Sequence, residues 1–328
     1  GEGKYRPGGE AGAVGYLVGE QNRGLSYMFH MMNEARVGVG VAAVALGYTG
    51  YLHALDYART RAQGRPLLDR DPNSRQIPII EHSDVRRMLL AQKAYVEGGM
   101  ALSLYCARLL DEQHSATEDR SRAEAGQLLD VLTPIAKSWP SQWCLEANSL
   151  AIQVHGGYGY TRDYNVEQFY RDNRLNPIHE GTHGIQALDL LGRKVIQSEG
   201  AGLTLLLGRM SATCEQAESD PELAPFAQEL RVASERVVAT TMGLWGTGDP
   251  ALALANATLY LEAFGHMVVA WLWLEQMLVA GGHEGSFYDG KRAAGRYFFR
   301  FELPKIGPQL DLLDSLDRTT LDLDTAAL

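Results

Sequence analysis

Gln153-Val-His-Gly-Gly-Tyr-Gly-Tyr160 is one of two stretches that decide the fold of this chain, and Ile178-His-Glu-Gly-Thr-His-Gly-Ile-Gln186 is the other. Both concentrate glycines, hydroxyls and amides in a sequence that otherwise has the periodicity of long helices. Because glycine permits dihedral angles and close contacts that a Cβ forbids, such stretches are typical of turns that approach a ligand. Their single carboxylate, Glu180, is the candidate for acid–base chemistry.

The second stretch also contains a zinc-hydrolase pattern. His179, Glu180 and His183 match H-E-x-x-H, which requires both histidines on one continuous helix with the glutamate polarising a metal-bound water. Pro177 stops a helix from running through the motif, and Gly181 inside it costs about 1 kcal/mol relative to alanine. A zinc hydrolase is therefore an alternative that the flanking residues disfavour, and we predict no metal site.

A second interpretation places Glu180 on a turn before an amphipathic helix. Apolar residues at helical spacing begin at Ile185 and end at Val195. With Gly181 beside it, the carboxylate would have room to remove a proton from a bound substrate. A simple cap of the following helix is the alternative for the same residue.

The remaining sequence predicts an all-α fold. Periodicity and helix breakers predict helices over 25–63, 83–111 and 118–153 and a fourth after Thr182, which together indicate an antiparallel four-helix bundle. An additional helical domain is predicted from helices over 204–217, 222–244, 250–280 and 290–317. A short apolar strand is predicted at 13–18.

Composition limits the class of partner. The formal net charge is −10 and there is no basic stripe to neutralise phosphates, so we predict no nucleic-acid partner. The chain has three widely spaced cysteines, which fits reduced, buried thiols and a cytoplasmic location. Residues 266–280 are strongly apolar, but Glu275 and Gln276 interrupt them, so a buried helix is predicted there and no membrane span.

Three successive blocks of the sequence resemble the C-terminal signature of the acyl-CoA dehydrogenases. They are residues 153–160, Asp163-Tyr-Asn-Val-Glu-Gln-Phe-Tyr-Arg-Asp172 and residues 178–186. Met31-Met-Asn-Glu-Ala-Arg36 and Tyr57-Ala-Arg-Thr-Arg61 resemble the first long helix of that family's C-terminal domain. The resemblance covers essentially the whole chain.

The resemblance implies three regions. Residues 1–22 look like the end of the family's middle β domain, 23–198 like its four-helix C-terminal domain, and 199–328 like the extra helical domain of larger bacterial members. Since family members also carry an N-terminal helical domain and a β domain, the chain is interpreted as a fragment. The missing N-terminal part of the same polypeptide is then its first partner.

The resemblance also assigns a reaction to residues of the second stretch. Glu180 matches the catalytic base, which takes an α-proton from an acyl-CoA thioester while the β-hydrogen passes to FAD, giving a trans-2-enoyl-CoA. Gly181 matches a position that leaves room for the thioester, and Arg36 matches an arginine near the CoA moiety or the site wall. A solvated charge on a long helix is the alternative for Arg36.

The cofactor that the resemblance implies is FAD. The matching positions are Arg61, Gln153, Gly156, Gly157 and Thr182, and in the family contacts of this kind commonly come from a neighbouring subunit, which implies a homodimer. A helix C-terminal charge for the arginine and a tight turn for the glycine pair are the alternatives. Electron-transfer flavoprotein is the implied electron acceptor. A flavin-binding relative of the alkylation-response type, which is not a dehydrogenase, is the alternative function.

Overall fold

The computed structural model describes residues 15–69, 71 and 73–328. The first part contains three long helices, α1 (Gly24–Thr60), α2 (Ser83–Ser115) and α3 (Asp119–His155). Two short helices follow, α4 (Val166–Asn173) and α5 (His183–Asp189), and a π-helical turn over Leu190–Lys194 extends α5. Across the described ranges the β pairing is limited to one isolated bridge between Ala62 and Pro78.

Helices α1 and α3 run parallel and very close together. A Cβ built on Gly40 would lie 2.0 Å from the Ala136 carbonyl oxygen, and one on Gly47 would lie 2.7 Å from Cys144 Cβ. The residue numbers of facing positions therefore increase in the same direction along both helices, which means that the helices are parallel. The absence of a side chain at these glycines permits the close contact that buries the apolar face of α3.

Helix α2 runs antiparallel to both. The Lys93 ammonium lies 6.0 Å from the centre of the Tyr51 ring, and Gly99, further along α2, faces Val44, which is earlier on α1. The predicted all-α bundle is confirmed, with α5 and its π-helical extension packing on α3 as the short fourth member. Pro134 and Pro140 lie inside α3 without ending it.

The second part consists of six further helices. They are α6 (Ala201–Glu218), α7 (Ala224–Gly246), α8 (Pro250–Leu254), α9 (Ala257–Ala280), α10 (Ser286–Tyr297) and α11 (Ile306–Asp314). The single helix predicted over 250–280 is two helices, because the chain turns at Ala255 and Asn256. The helix predicted over 290–317 begins earlier and is divided by a π-helical turn at Phe298–Glu302 and a 3-10 turn containing Pro304.

Helix α9 lies at the centre of the second part and joins it to the first. Trp273 is fully buried and its indole N–H donates to the Ala94 carbonyl of α2 at 3.2 Å, while Trp271 donates to the Thr213 hydroxyl of α6 at 2.8 Å. Both tryptophans are core residues between helices, in agreement with the buried helix predicted over 266–280. Helix α9 and residues Met31–Thr60 of α1 are long and apolar enough to cross a membrane, but 78% of the apolar window of α9 is buried inside the protein, as in a core helix.

One helix was not predicted, and one predicted strand is absent from the described residues. No helix was predicted at α4, where Val166 packs into the core and starts eight helical residues. Residues 15–18 of the predicted strand are irregular rather than paired, and positions 13–14 lie outside the described residues. Cys106, Cys144 and Cys214 are free and buried, as expected from their spacing.

Candidate active site

Glu180 lies on a turn whose backbone is unusual for a residue with a side chain. Its φ is +53°, and that of Gly181 is +88°. The left-handed region costs a non-glycine residue roughly 1 kcal/mol, so contacts around the turn must hold it there. Helix α5 begins three residues later at His183, with Thr182 in the N-cap position. The predicted turn followed by a helix is confirmed.

The same backbone rules out the helical zinc motif. His179 belongs to the turn that precedes α5, and its Nδ1 lies 3.0 Å from the Leu175 carbonyl oxygen. His183 is the first residue of the next helix, with two left-handed residues between them. The histidines are therefore not one turn apart on a continuous helix. Within the described ranges, no group of three or more metal-binding side chains converges.

Three hydrogen bonds from side chains fix the backbone around Glu180. The Gln186 amide donates to the Glu180 carbonyl at 2.8 Å. The Lys137 ammonium donates to the Gly181 carbonyl at 2.6 Å and to the Asn176 carbonyl at 2.8 Å. One buried lysine of α3 thus holds the segment before Glu180 and the residue after it.

The Glu180 carboxylate itself is exposed. Among the contacts of the described residues it makes no hydrogen bond or ion pair, and Thr182 occupies the cap position of α5, so the helix-cap alternative is not supported. Ile178 and Ile185 close by in sequence are about half exposed. The site therefore presents an accessible carboxylate next to apolar side chains.

Burial lowers the pKa of two ionisable side chains near the turn, Lys137 and His183. Burial, with a smaller contribution from the positive charge of Arg36, lowers the pKa of Lys137 to about 8, and the Glu180 carboxylate partly opposes this shift. Burial also lowers the pKa of His183 to about 4, helped by the charges of Lys137 and Arg174. At neutral pH the imidazole of His183 is therefore uncharged.

Arg36 is buried rather than solvated. It is 4% exposed, and its Nη1 lies 2.6 Å from Asp189 Oδ2 at the end of α5. Asp189 also accepts from Arg193 at 2.7 Å. Arg36 thus ties α1 to the end of α5, and the alternative of a solvated charge is wrong. Direct contact with a substrate stays a prediction.

The predicted cofactor contacts divide into two groups. Thr182 lies beside Glu180, whereas Arg61 and the residues of the first glycine stretch lie at the far end of the bundle. There α1 and α3 end side by side, with the rings of Tyr57 and His155 stacked at 4.3 Å. Sixteen residues separate Lys137 from Gln153 along α3, which corresponds to about 24 Å of helix.

This second group is open to solvent. Arg61 and Gln153 are exposed, and Gly156 has a φ of +62° and ψ of −141°, a conformation essentially restricted to glycine. A Cβ on Gly156 or Gly157 would meet nothing within 4 Å. A ligand can therefore approach this backbone, but one chain does not bring it to Glu180.

Sequence reasoning missed Lys137 and Gln186, which organise the turn. A lysine inside the mainly apolar segment 131–139 was the available signal, since a charge in such a segment must find buried partners. Its partners are 39 and 44 residues away in sequence, so helical spacing could not identify them.

Comparison with known proteins identifies the class to which this fold and site belong. Residues 22–195 match the family model described as "Acyl-CoA dehydrogenase, C-terminal domain", and residues 206–324 match "Acetyl-CoA dehydrogenase C-terminal like". The chain belongs to the acyl-CoA dehydrogenase family.

Individual relatives agree. The chain is 40% identical over 87% of its length to 3-methylmercaptopropionyl-CoA dehydrogenase of Ruegeria pomeroyi, of which it covers 50%. It is 32% identical over 96% of its length to the broad-specificity linear acyl-CoA dehydrogenase FadE5 of Mycobacterium tuberculosis, of which it covers 54%. The chain therefore spans about half the length of these curated relatives.

A solved structure has the same fold. The acyl-CoA dehydrogenase of Bacillus anthracis, determined in complex with FAD, superimposes with a TM-score of 0.74 at 18% identity. The superposition covers 91% of this chain and 51% of that one.

Proposed function

We propose that this chain is the C-terminal part of an acyl-CoA dehydrogenase in which Glu180 removes the α-proton of an acyl-CoA thioester. The observation that carries the proposal is the accessible carboxylate of Glu180, on a left-handed residue that Lys137 and Gln186 hold from behind. The two curated relatives, one named 3-methylmercaptopropionyl-CoA dehydrogenase and the other a linear acyl-CoA dehydrogenase, support the reaction. The product is the trans-2-enoyl-CoA, as in fatty acid β-oxidation or related acyl-CoA catabolism.

The chemistry of Glu180 follows from its surroundings. An exposed carboxylate is a weak base, so it needs a covering that excludes water when substrate binds. The exposed apolar side chains of Ile178 and Ile185 would pack against an acyl chain or a covering domain, and the backbone of Gly181 would lie beside the thioester. Arg36 forms the wall that supports α5.

FAD is the proposed cofactor, and when bound it supplies a hydride acceptor for the β-hydrogen. Thr182, which is exposed and lies two residues after Glu180, would contact the flavin. Arg61 and Gln153 offer exposed hydrogen-bond donors. The backbone of Gly156 and Gly157 is open and carries no Cβ, so a pyrophosphate could approach its N–H groups closely.

The separation of these two groups supports a homodimer. Because about 24 Å of α3 lies between them, Arg61, Gln153, Gly156 and Gly157 of one subunit would contact the FAD that serves Glu180 of the other. We also propose electron-transfer flavoprotein as acceptor and a cytoplasmic location.

The proposed organisation includes a longer polypeptide. The family matches over 22–195 and 206–324 support a bundle over 23–198 and a helical extension over 199–328. Residues 1–22 would end a β domain that, with an N-terminal domain, completes the acyl pocket. Exposed apolar side chains such as Val18 and Met31 near this end suit a covered surface.

The decisive experiment uses the complete polypeptide. Purified protein should be yellow, and anaerobic butyryl-CoA or a longer acyl-CoA should bleach the flavin absorbance. Glu180→Gln should keep the bound FAD and lose at least a thousandfold in bleaching rate. The matched control is Glu199→Gln, because Glu199 is also exposed and left-handed but lies outside the site. Bleaching at the normal rate in Glu180→Gln would refute the proposal.

A further inference from the structure

Among the described residues of the first part of the chain, Lys137 is the most deeply buried charged group. It lies in the middle of α3 with its side chain fully buried, between Ala136 and Trp139 of the core. A buried ammonium is costly unless polar partners surround it, so its position requires an explanation beyond packing.

The partners of Lys137 are two backbone carbonyls that flank Glu180. The ammonium binds the Asn176 carbonyl at 2.8 Å and the Gly181 carbonyl at 2.6 Å. The segment 177–180 between them carries the base and includes its left-handed backbone. A single cation therefore fixes both ends of the turn that presents Glu180.

Asn176, which carries one of these carbonyls, is itself held through its side chain by a series of buried amides. The Asn176 side chain donates to Asn173 at 2.9 Å, and Asn173 donates to Asn148 of α3 at 2.7 Å. Asn148 in turn donates to the Leu46 carbonyl of α1 at 2.9 Å. Lys137 thus connects the turn to a rigid frame formed by both long helices.

We propose that Lys137 is a positioning residue for the dehydrogenation, which holds the turn so that the Glu180 carboxylate points at the substrate α-carbon. This inference rests on the proposed function of Glu180. The charged groups that face Lys137 are Arg36 of α1 and Glu180 itself, and the titratable but uncharged imidazole of His183 in α5 also faces it. Since the pKa of Lys137 is lowered only to about 8, the ammonium keeps most of its charge at neutral pH.

The test measures proton abstraction directly. In the complete polypeptide loaded with FAD, Lys137→Met should lower the single-turnover bleaching rate about a hundredfold, as expected when a reacting group moves by about 1 Å. The KM should change less than threefold. The isotope effect with α-deuterated acyl-CoA should increase, because abstraction becomes slower than every other step.

The matched control is Lys194→Met. Lys194 is another buried lysine beside α3, but it pairs with Asp130 at 2.5 Å and does not touch the turn. This variant should lower the unfolding temperature to a similar degree and leave the bleaching rate and the isotope effect unchanged. If Lys137 had only a structural role, Lys137→Met would behave like Lys194→Met.

One further variant makes the outcome decisive. Lys137→Arg keeps the charge and should recover at least a tenth of the rate, and it also serves if the Met variant fails to fold. If both Lys137 variants bleach within threefold of the unsubstituted protein, the positioning role is wrong. Failure of the proposed function would be recognised separately, because Glu180→Gln would then bleach normally.

Discussion

The guanidinium of Arg36 and the carboxylate of Asp189 form an ion pair in which neither side chain is more than 10% exposed. The pair joins the N-terminal half of α1 to the last turn of α5, the helix that follows the Glu180 turn. Asp189 has a second cation, Arg193, which is half exposed, whereas the Nε of Arg36 has no hydrogen-bond partner among the described residues. The two members of the pair therefore differ in what their loss would leave behind.

We predict that Asp189→Asn destabilises the protein more than Arg36→Met does. Loss of the aspartate leaves a buried guanidinium without a countercharge, which costs about 3–5 kcal/mol. Loss of the arginine leaves Asp189 paired with Arg193 and should cost about 1–3 kcal/mol. Urea unfolding of both variants checks the order, and equal losses would contradict it.

Gly40→Ala should destabilise the contact between α1 and α3. The new methyl group would lie 2.0 Å from the Ala136 carbonyl, and backbone cannot move away cheaply, so a loss of about 1–3 kcal/mol is expected. The control is Gly38→Ala on the same helix, where nothing lies within 4 Å of the added carbon. That variant should be neutral or more stable by up to about 1 kcal/mol. Thermal unfolding distinguishes them, and a stabilised Gly40→Ala would show that the helices are less closely packed.

Gly181→Ala should impair the reaction more than the fold. Its φ of +88° is unfavourable for alanine, and the added carbon would lie 2.6 Å from the Gln186 amide that holds the Glu180 carbonyl. We expect a loss of at least tenfold in the rate of flavin bleaching by an acyl-CoA. Gly184→Ala, in α5 with open space around the added carbon, should keep the rate. Equal rates in both variants would count against the geometry of the turn.

His183 should make stability depend on pH. Its pKa is lowered from the ordinary 6.5 to about 4, so between these values the unfolded chain takes up a proton that the folded protein does not. The free energy of unfolding therefore falls as the pH is lowered from about 6.5 to about 4, by about 1–3 kcal/mol from this residue. His183→Gln should remove that part of the dependence, whereas the exposed His114→Gln should not. Identical pH profiles for the His183 variant and the unsubstituted protein would contradict the shift.

Local signals predicted much of the fold. Ser83 begins α2 as predicted. Helix α1 ends at Thr60, close to the predicted boundary at 63 and before the Gly64–Pro66 segment. Pro134 and Pro140 were correctly accommodated in one helix, because packing of a long apolar face outweighs two local breaks. The division near Asn256 was missed, since no proline or glycine marks it.

The site was predictable only in part. The glycines and proline around Glu180 indicated a turn rather than a helix, and the left-handed backbone confirms that interpretation. The support from Lys137 and Gln186 arises when α3 and α5 come together, so its geometry is absent from any local pattern. The burial of Arg36 likewise depends on Asp189, which lies 153 residues away.

The length of α3 between the Glu180 turn and Gly157 has a genetic consequence. In the proposed homodimer each active site takes its base from one subunit and its pyrophosphate contacts from the other. Two separately inactive alleles, Glu180→Gln and a bulky substitution such as Gly157→Trp, would then complement each other when co-expressed. A mixed dimer has one site with both defects and one with neither, so random assembly restores about a quarter of the sites, whereas self-contained subunits would restore none.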